Sequence, residues 1–238
     1  MGVSMATEDE VTQVVDADEF ATISSRASSG RSDKTRQDII DAAGQLFAEK
    51  GFKATTISQI CKAADVNQAA VSFHFGGKEQ LYIALVRRAY QIGLEQVPVP
   101  QWAPGTPASP RLHDFVLAFL RRCVADREPR WPCQLIMREV IEPTAACEEF
   151  VEGYVRPNVV LLQTILTDLL PAGFPESRFR LIAGSIIGQC LHYRVARHVI
   201  RLIEHQEFRY DEEHLQGLAD HITAFTLAAL GAGPALSV

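Results

Sequence analysis

Side chains with usable chemistry are concentrated in one stretch, Thr56 to Leu81, TISQICKAADVNQAAVSFHFGGKEQL. Thr56 followed three residues later by Gln59 forms a capping box, in which the threonine hydroxyl accepts from a free helix N–H and the glutamine reaches back. The box predicts a helix from about Ile57. Ile57, Ile60, Cys61 and Ala64 fall on one face of it, and the run stops at Asp65-Val66-Asn67. Asp and Asn both tolerate the left-handed backbone of a sharp turn, and Asn67 is a good N-cap for the next helix. This second short helix, roughly Gln68 to His74, ends at Gly76-Gly77, and Lys78 and Glu79 then lie in the first turn of a third. Two short helices joined by a tight turn are the arrangement that places the second in a DNA major groove. The chemistry implied is the reading and gripping of double-stranded DNA.

Other reactive side chains are scattered. The seven histidines never form the i, i+4 pair with a third ligand that a zinc site usually displays, so no metal is expected. There is no nucleophile elbow, phosphate-cradling glycine loop or H-E-x-x-H motif, so the sequence predicts neither an enzyme nor a cofactor. Arg138 and Glu139 stand out on a helix that is otherwise apolar (Leu135, Ile136, Met137, Val140). They either form a buried ionic network or meet a ligand. With Gln189, His192 and Tyr193 as further polar groups, they predict a small-molecule pocket, since such pockets are apolar with a few placed polar atoms.

These groups need helices to hold them. Ile39, Ile40, Ala43, Leu46 and Phe47 form an apolar stripe between Asp33 and Lys50, and Gly51 sits where a C-cap glycine belongs. This helix closes a three-helix core with Phe52, Ile57, Ile60, Val66, Val71 and Phe75, and its Lys34 and Arg36 face outward toward phosphates. An apolar helix from Leu81 to about Gln96 ends in VPVPQWAPGTPASP, where five prolines within thirteen residues forbid a helix and mark a boundary or a long crossing. Beyond it every long segment reads helical: Arg111 to Asp126, Cys133 to Ile141, Thr144 to Leu170 with a kink at Pro157, Arg178 to about His205, and Asp211 to about Leu230. No segment alternates with period two long enough for a strand. The expectation is an all-α protein: a disordered tail over 1–32, a helix-turn-helix domain over 33–80, and a helical ligand-binding and dimerisation domain over 81–238. Gly184 and Gly188, four apart, and the broad apolar surface of the last helix (Leu215, Leu218, Ile222, Phe225) predict a four-helix bundle with a second copy, the alternative being that these helices complete an internal core.

Five scattered cysteines, none in a C-x-x-C pair, imply reduced thiols and a cytoplasmic protein. The absence of a span of ~20 apolar residues predicts no membrane partner. The net charge of −6 is unevenly spread. Residues 1–30 carry one Arg against six acids, residues 31–90 nine Lys/Arg against six acids, and the remainder thirteen against seventeen. Only the segment around the opening motif is basic, as a DNA-contacting head on an acidic body should be.

The residues of that segment resemble the N-terminal domain of the TetR (tetracycline-repressor) family. Ala43, Leu46, Phe47, Gly51, Phe52, Thr55, Thr56, Ile57, Ile60, Cys61, Ala64, Val66, Asn67, Val71, Phe73, His74, Phe75, Lys78, Glu79 and Leu81 stand at the places of its pattern. The C-terminal part is similar to the CerR-type (YbiH-like) regulators of that family, through Met137-Arg138-Glu139, Glu142-Pro143, Val155-Arg156-Pro157 and SIIGQCLHYRVAR (Ser185 to Arg197). The resemblance implies a homodimeric repressor that binds a palindromic operator and is released by a small-molecule inducer. It places Gln68, Ala69, Ala70 and Ser72 on the exposed face of the recognition helix, with Gln68 able to pair with adenine and the alanine methyls with thymine. Phe73 belongs to the same DNA-binding set. Thr56, His74 and Lys78 are placed for phosphate oxygens. Asp65 replaces the glycine that many members carry in the turn, and Ser72 replaces a tyrosine, shortening its reach. The competing expectation is a helical ligand-binding or scaffolding dimer without specific DNA binding.

Overall fold

The computed structural model describes residues 17–126, 128–171, 173–204 and 210–233. The described residues are helical, with no strand among them: α1 (Ala17–Ala54), α2 (Ile57–Ala64), α3 (Gln68–Phe75), α4 (Lys78–Gln96), α5 (Ala108–Cys123), α6 (Trp131–Ile141), α7 (Cys147–Phe150), α8 (Arg156–Leu169), α9 (Glu176–Val195), α10 (Arg197–Glu204) and α11 (Glu212–Ala229). A π-helical turn, Val151–Val155, joins α7 to α8. None of these helices is long and apolar enough to cross a membrane.

The N-terminal expectation needs correction. Residues 1–16 lie outside the described residues, but residues 17–32, expected to be unstructured, continue α1 backward to Ala17. That segment lacks an apolar stripe. Adding residues to an already packed helix needs no new nucleus, and this favours continuation without one. At its other end α1 breaks at Gly51 (φ 82°), the expected stop. There the buried Thr55 hydroxyl lies within hydrogen-bonding distance of the Gly51 and Leu46 carbonyls (2.9 and 3.2 Å).

Two apolar cores divide the chain. The first joins α1 to α4 through Ile39, Phe47, Ile60, Val71, Phe75 and Leu85, and also takes in Trp131 and Leu135 of α6 and Phe150 of α7. The second joins α5, α8, α9 and α11 through Leu112, Phe115, Ile165, Ile186 and Ile222. The packing therefore does not divide at residue 80: α4 and α6 belong to the core of the head. Gly44 makes this possible. A Cβ there would come within 2.6 Å of the Trp131 ring, so only glycine lets α6 lie this close to α1. The proline-rich crossing from α4 to α5 is pinned by the Trp102 indole donating to Asp114 (2.8 Å) and by Arg122 donating to the Val97 carbonyl (3.2 Å).

Where a kink at Pro157 was expected, the chain has a π-helical turn just before it, in which the Arg156 N–H reaches back five residues to the Val151 carbonyl. Pro157 then occupies the first turn of α8, where its missing donor costs least.

Candidate nucleic-acid interface and ligand cavity

The head is set by local hydrogen bonds. The Thr56 hydroxyl accepts from Gln59 N–H (3.2 Å) and Gln59 Oε1 accepts from Thr56 N–H (3.0 Å), so the capping box fixes the start of α2. Asp65 turns the chain in the left-handed region (φ 53°, ψ 47°). Asn67 Oδ1 then accepts from Ala70 N–H at 2.9 Å and starts α3. Val71 and Phe75 lock one face of α3 into the core. Gln68, Ala69, Ser72 and Phe73 are exposed, Phe73 to 82 %. The Phe73 ring therefore adds an apolar edge to this exposed face.

Around this face stand the groups expected at phosphates. Thr56 is exposed at the N-terminus of α2, and its hydroxyl proton remains available while its oxygen caps the helix. His74 is half-buried, edge-on to Phe73 (5.1 Å). Lys78 lies with Nζ 4.4 Å from the Phe52 ring centroid, and Arg36 lies over Phe75 at 5.2 Å, so aromatic faces hold two cations near α3. Ala70 departs from expectation: it is half-buried against the first core because it neighbours Val71 on the inward side of the helix.

Behind the head lies a cavity of about 580 Å³, walled by α4 (Tyr90, Ile92, Gly93), α5 (Phe119, Arg122), α6 (Ile136, Met137), the π-helical turn and α8 (Tyr154, Asn158), and α9 (Gly184, Ile187, Leu191). The five residues expected to line a pocket do not meet there. Arg138 points to α1 instead, donating to the Ala48 and Glu49 carbonyls (2.7 and 2.6 Å) just before the Gly51 break. Glu139 is buried and accepts from the Tyr82 hydroxyl (3.0 Å) and from Thr144 N–H (2.7 Å). Neither side chain lines the cavity, and instead of a buried ion pair the two make hydrogen bonds to carbonyls, to Tyr82 and to Thr144. Gln189 reaches Ser185 in its own helix, His192 is exposed, and Tyr193 packs in the second core beside Tyr210. The cavity-facing row of α9 is Gly184, Ile187 and Leu191, and Gln189 and Tyr193 lie about 140° and about 120° of helical rotation from its nearest member.

The polar groups that do line the cavity were missed: Arg122, Arg180, Asn158, Gln96, Tyr90 and Tyr154. One signal existed. Arg122 follows Phe115 and Phe119 at helical spacing, a charge in phase with the apolar stripe of α5. Burial pushes the Tyr154 hydroxyl up to about 12 against the opposing pull of Arg122, so it remains a neutral donor and acceptor. Burial also raises the Cys123 and Cys133 thiols, leaving them as inert wall.

A helical head that exposes the second of two short helices, mounted on a helical body with an internal cavity, is a helix-turn-helix architecture of the kind that docks in DNA. Relatives agree. Residues 39–85 match the family described as bacterial regulatory proteins, tetR family, and residues 108–230 match the C-terminal domain of the HTH-type transcriptional dual regulator CecR. The CecR regulator of Shigella flexneri is 27% identical over 202 residues, covering 81% of this chain and 90% of the relative. The regulator AcrR of Shigella flexneri is 26% identical over 162 residues, covering 65% and 75%. In fold the chain is similar to AibR, solved with isovaleryl coenzyme A and operator DNA (TM-score 0.60, 18% identity, 84% of this chain and 100% of that one). It is also similar to a tetR-family regulatory protein from Rhodococcus RHA1 (TM-score 0.62, 18% identity, 85% and 98%). The chain belongs to the TetR family of transcriptional regulators, with a C-terminal domain of the CecR type.

Proposed function

We propose that the protein is a homodimeric repressor that binds a palindromic operator through α3 and is released when a small molecule occupies the cavity. The observation that carries this reading is the exposed face Gln68-Ala69-Ser72-Phe73, held on a locked helix between Thr56, His74 and Lys78. Gln68 reads adenine through its amide and Ser72 bonds either way, while the flanking groups grip phosphates.

Dimerisation is supported by the outer helices. Leu181, Val195, Val199, Leu202, Ile203 and Phe225 of α9 to α11 are exposed, more apolar surface than a solvated face carries. A Cβ on Gly188 would meet nothing, so α9 has room there for a close-packed second helix. The alternative of a scaffold without DNA binding leaves Phe73 and the basic rim without a role.

Release follows from shared walls. The cavity is bounded by α4 and α6, and both also pack in the core of the head. Arg138 ties α6 to the end of α1, and Glu139 ties α6 to Tyr82 of α4. A ligand that favours a different α4 to α6 spacing rotates the heads away from the ~34 Å separation of successive major grooves. It weakens DNA binding by its differential affinity for the two states. The structural neighbour AibR was solved with both a ligand and operator DNA, and the same pairing is proposed here. A footprint on the protein's own promoter fragment tests the reading. The expected result is a protected palindrome, with Gln68→Ala weakening binding by about 1–3 kcal/mol at the adenine it pairs with. An unchanged footprint in Gln68→Ala would remove α3 from the reading role.

A further inference from the structure

The cavity's charges are one-sided. Its lining holds two arginines, Arg122 and Arg180, and no carboxylate among the described residues. Other arginines of the same body have acids: Arg111 pairs with Asp168, Arg121 with Glu212, and Arg197 with Asp126. Arg122, next in sequence to Arg121, has no carboxylate partner among the described residues. Its Nη atoms donate to the Val97 carbonyl and to Asn158 Oδ1, both at 3.2 Å, and its guanidinium stands 5.9 Å from the Tyr154 ring centroid. Its Nε–H is buried without an acceptor. The Asn158 amide is committed at both ends, because its Nδ2 donates to the Tyr154 carbonyl at 2.7 Å. A part-buried cation whose Nε–H is shut off from water and whose partners are all neutral is an arrangement that a bound anion relieves. The rest of the wall is hydrocarbon, including Phe119, Ile136, Met137, Leu162, Ile187 and Leu191.

We propose that this cavity takes an amphipathic organic monoanion, a carboxylate with an apolar body, its carboxylate on the Arg122 guanidinium and its body along the wall of α6 and α9. The assignment rests on the reading of the cavity as the regulatory ligand site. Guanidinium and carboxylate match as two parallel N–H···O bonds, which sets the anion's orientation. The volume of about 580 Å³ suits a ligand of this class. Arg180 is exposed on the solvent side of the cavity, where it draws the anion in.

The test is calorimetric titration of the full-length protein with decanoate and with decan-1-ol, matched in chain length and differing in charge. Operator affinity is measured in parallel with each. Decanoate is expected to bind about tenfold or more tightly than the alcohol, the margin of a charge-assisted contact, and to weaken operator binding. Arg122→Met should erase the preference to within about threefold, and Arg122→Lys should restore part of it. Should Arg122→Met not fold, the wild-type comparison and Arg122→Lys still decide. Equal binding of both probes, or an anion preference intact in Arg122→Met, overturns the anion assignment. If the alcohol alone binds and releases the operator, the regulatory cavity stands while the anion class falls. If neither probe binds nor alters operator affinity, the assignment falls together with the cavity reading on which it rests.

Discussion

Tyr82 and Glu139 meet at 3.0 Å across 57 residues of chain, both almost fully buried. Burial first, then the Glu139 carboxylate, holds the Tyr82 hydroxyl protonated well above its ordinary range. A group whose folded value is raised contributes its full stability below its unfolded value and loses it as pH climbs through the folded one. For a tyrosine that loss begins near pH ~10. Tyr82→Phe should therefore cost roughly 1–3 kcal/mol at neutral pH, because a buried carboxylate loses a donor. The gap to wild type should narrow in urea melts above pH ~10; a gap independent of pH would show that the hydroxyl is not coupled to the fold. Legibility at this scale follows sequence distance. Thr56 with Gln59 and Asn67 with Ala70 bond within three residues, so the caps could be read directly. Arg138 finds its partners 90 and 89 residues away. Neighbouring residue types showed that it was unusual, but the rotation of α6 against α1 decides which way it points.

Helix α6 is the element that joins head and body. It brings Trp131 and Leu135 into the head core while Ile136 and Met137 face the cavity. Its seat on α1 depends on Gly44, where a Cβ would come within 2.6 Å of the Trp131 ring. Gly44→Ala should destabilise the protein by about 1–3 kcal/mol through overpacking, although alanine is the better helix former by about 1 kcal/mol. In a Trp131→Leu background the clash is gone, and the same substitution should become neutral or stabilising. Thermal melts of the four proteins check this reversal of sign. Helical periods and stops were legible because they are local: the Gly51 break and the Asp65 turn both appear, and the irregularity near Pro157 is a π-helical turn. That α6 packs with the head was not, since an apolar stripe declares a buried face without naming its partner.

Across the whole molecule, charge and surface divide the labour. The basic excess lies in residues 31–90, and acids predominate on either side of them. At the far end α9 to α11 leave Leu181, Ile203 and Phe225 uncovered. The all-helical class and the exposed face of α3 could be read from period, caps and the matched pattern. The cavity could not, because its wall gathers single faces of α4, α5, α6, α8 and α9 whose rotations are set by packing. Such an assembly should read a specific operator as a dimer. The most direct test is an anisotropy titration of a genomic fragment selected by the protein, beside a scrambled fragment, at ~50 and ~200 mM salt. The expected result is saturation at two protomers per fragment, with a strong preference for the selected sequence. The slope of log affinity against log salt should be steep, about −0.9 for each phosphate neutralised. Weak binding, equal for both fragments and at no fixed stoichiometry, would contradict it.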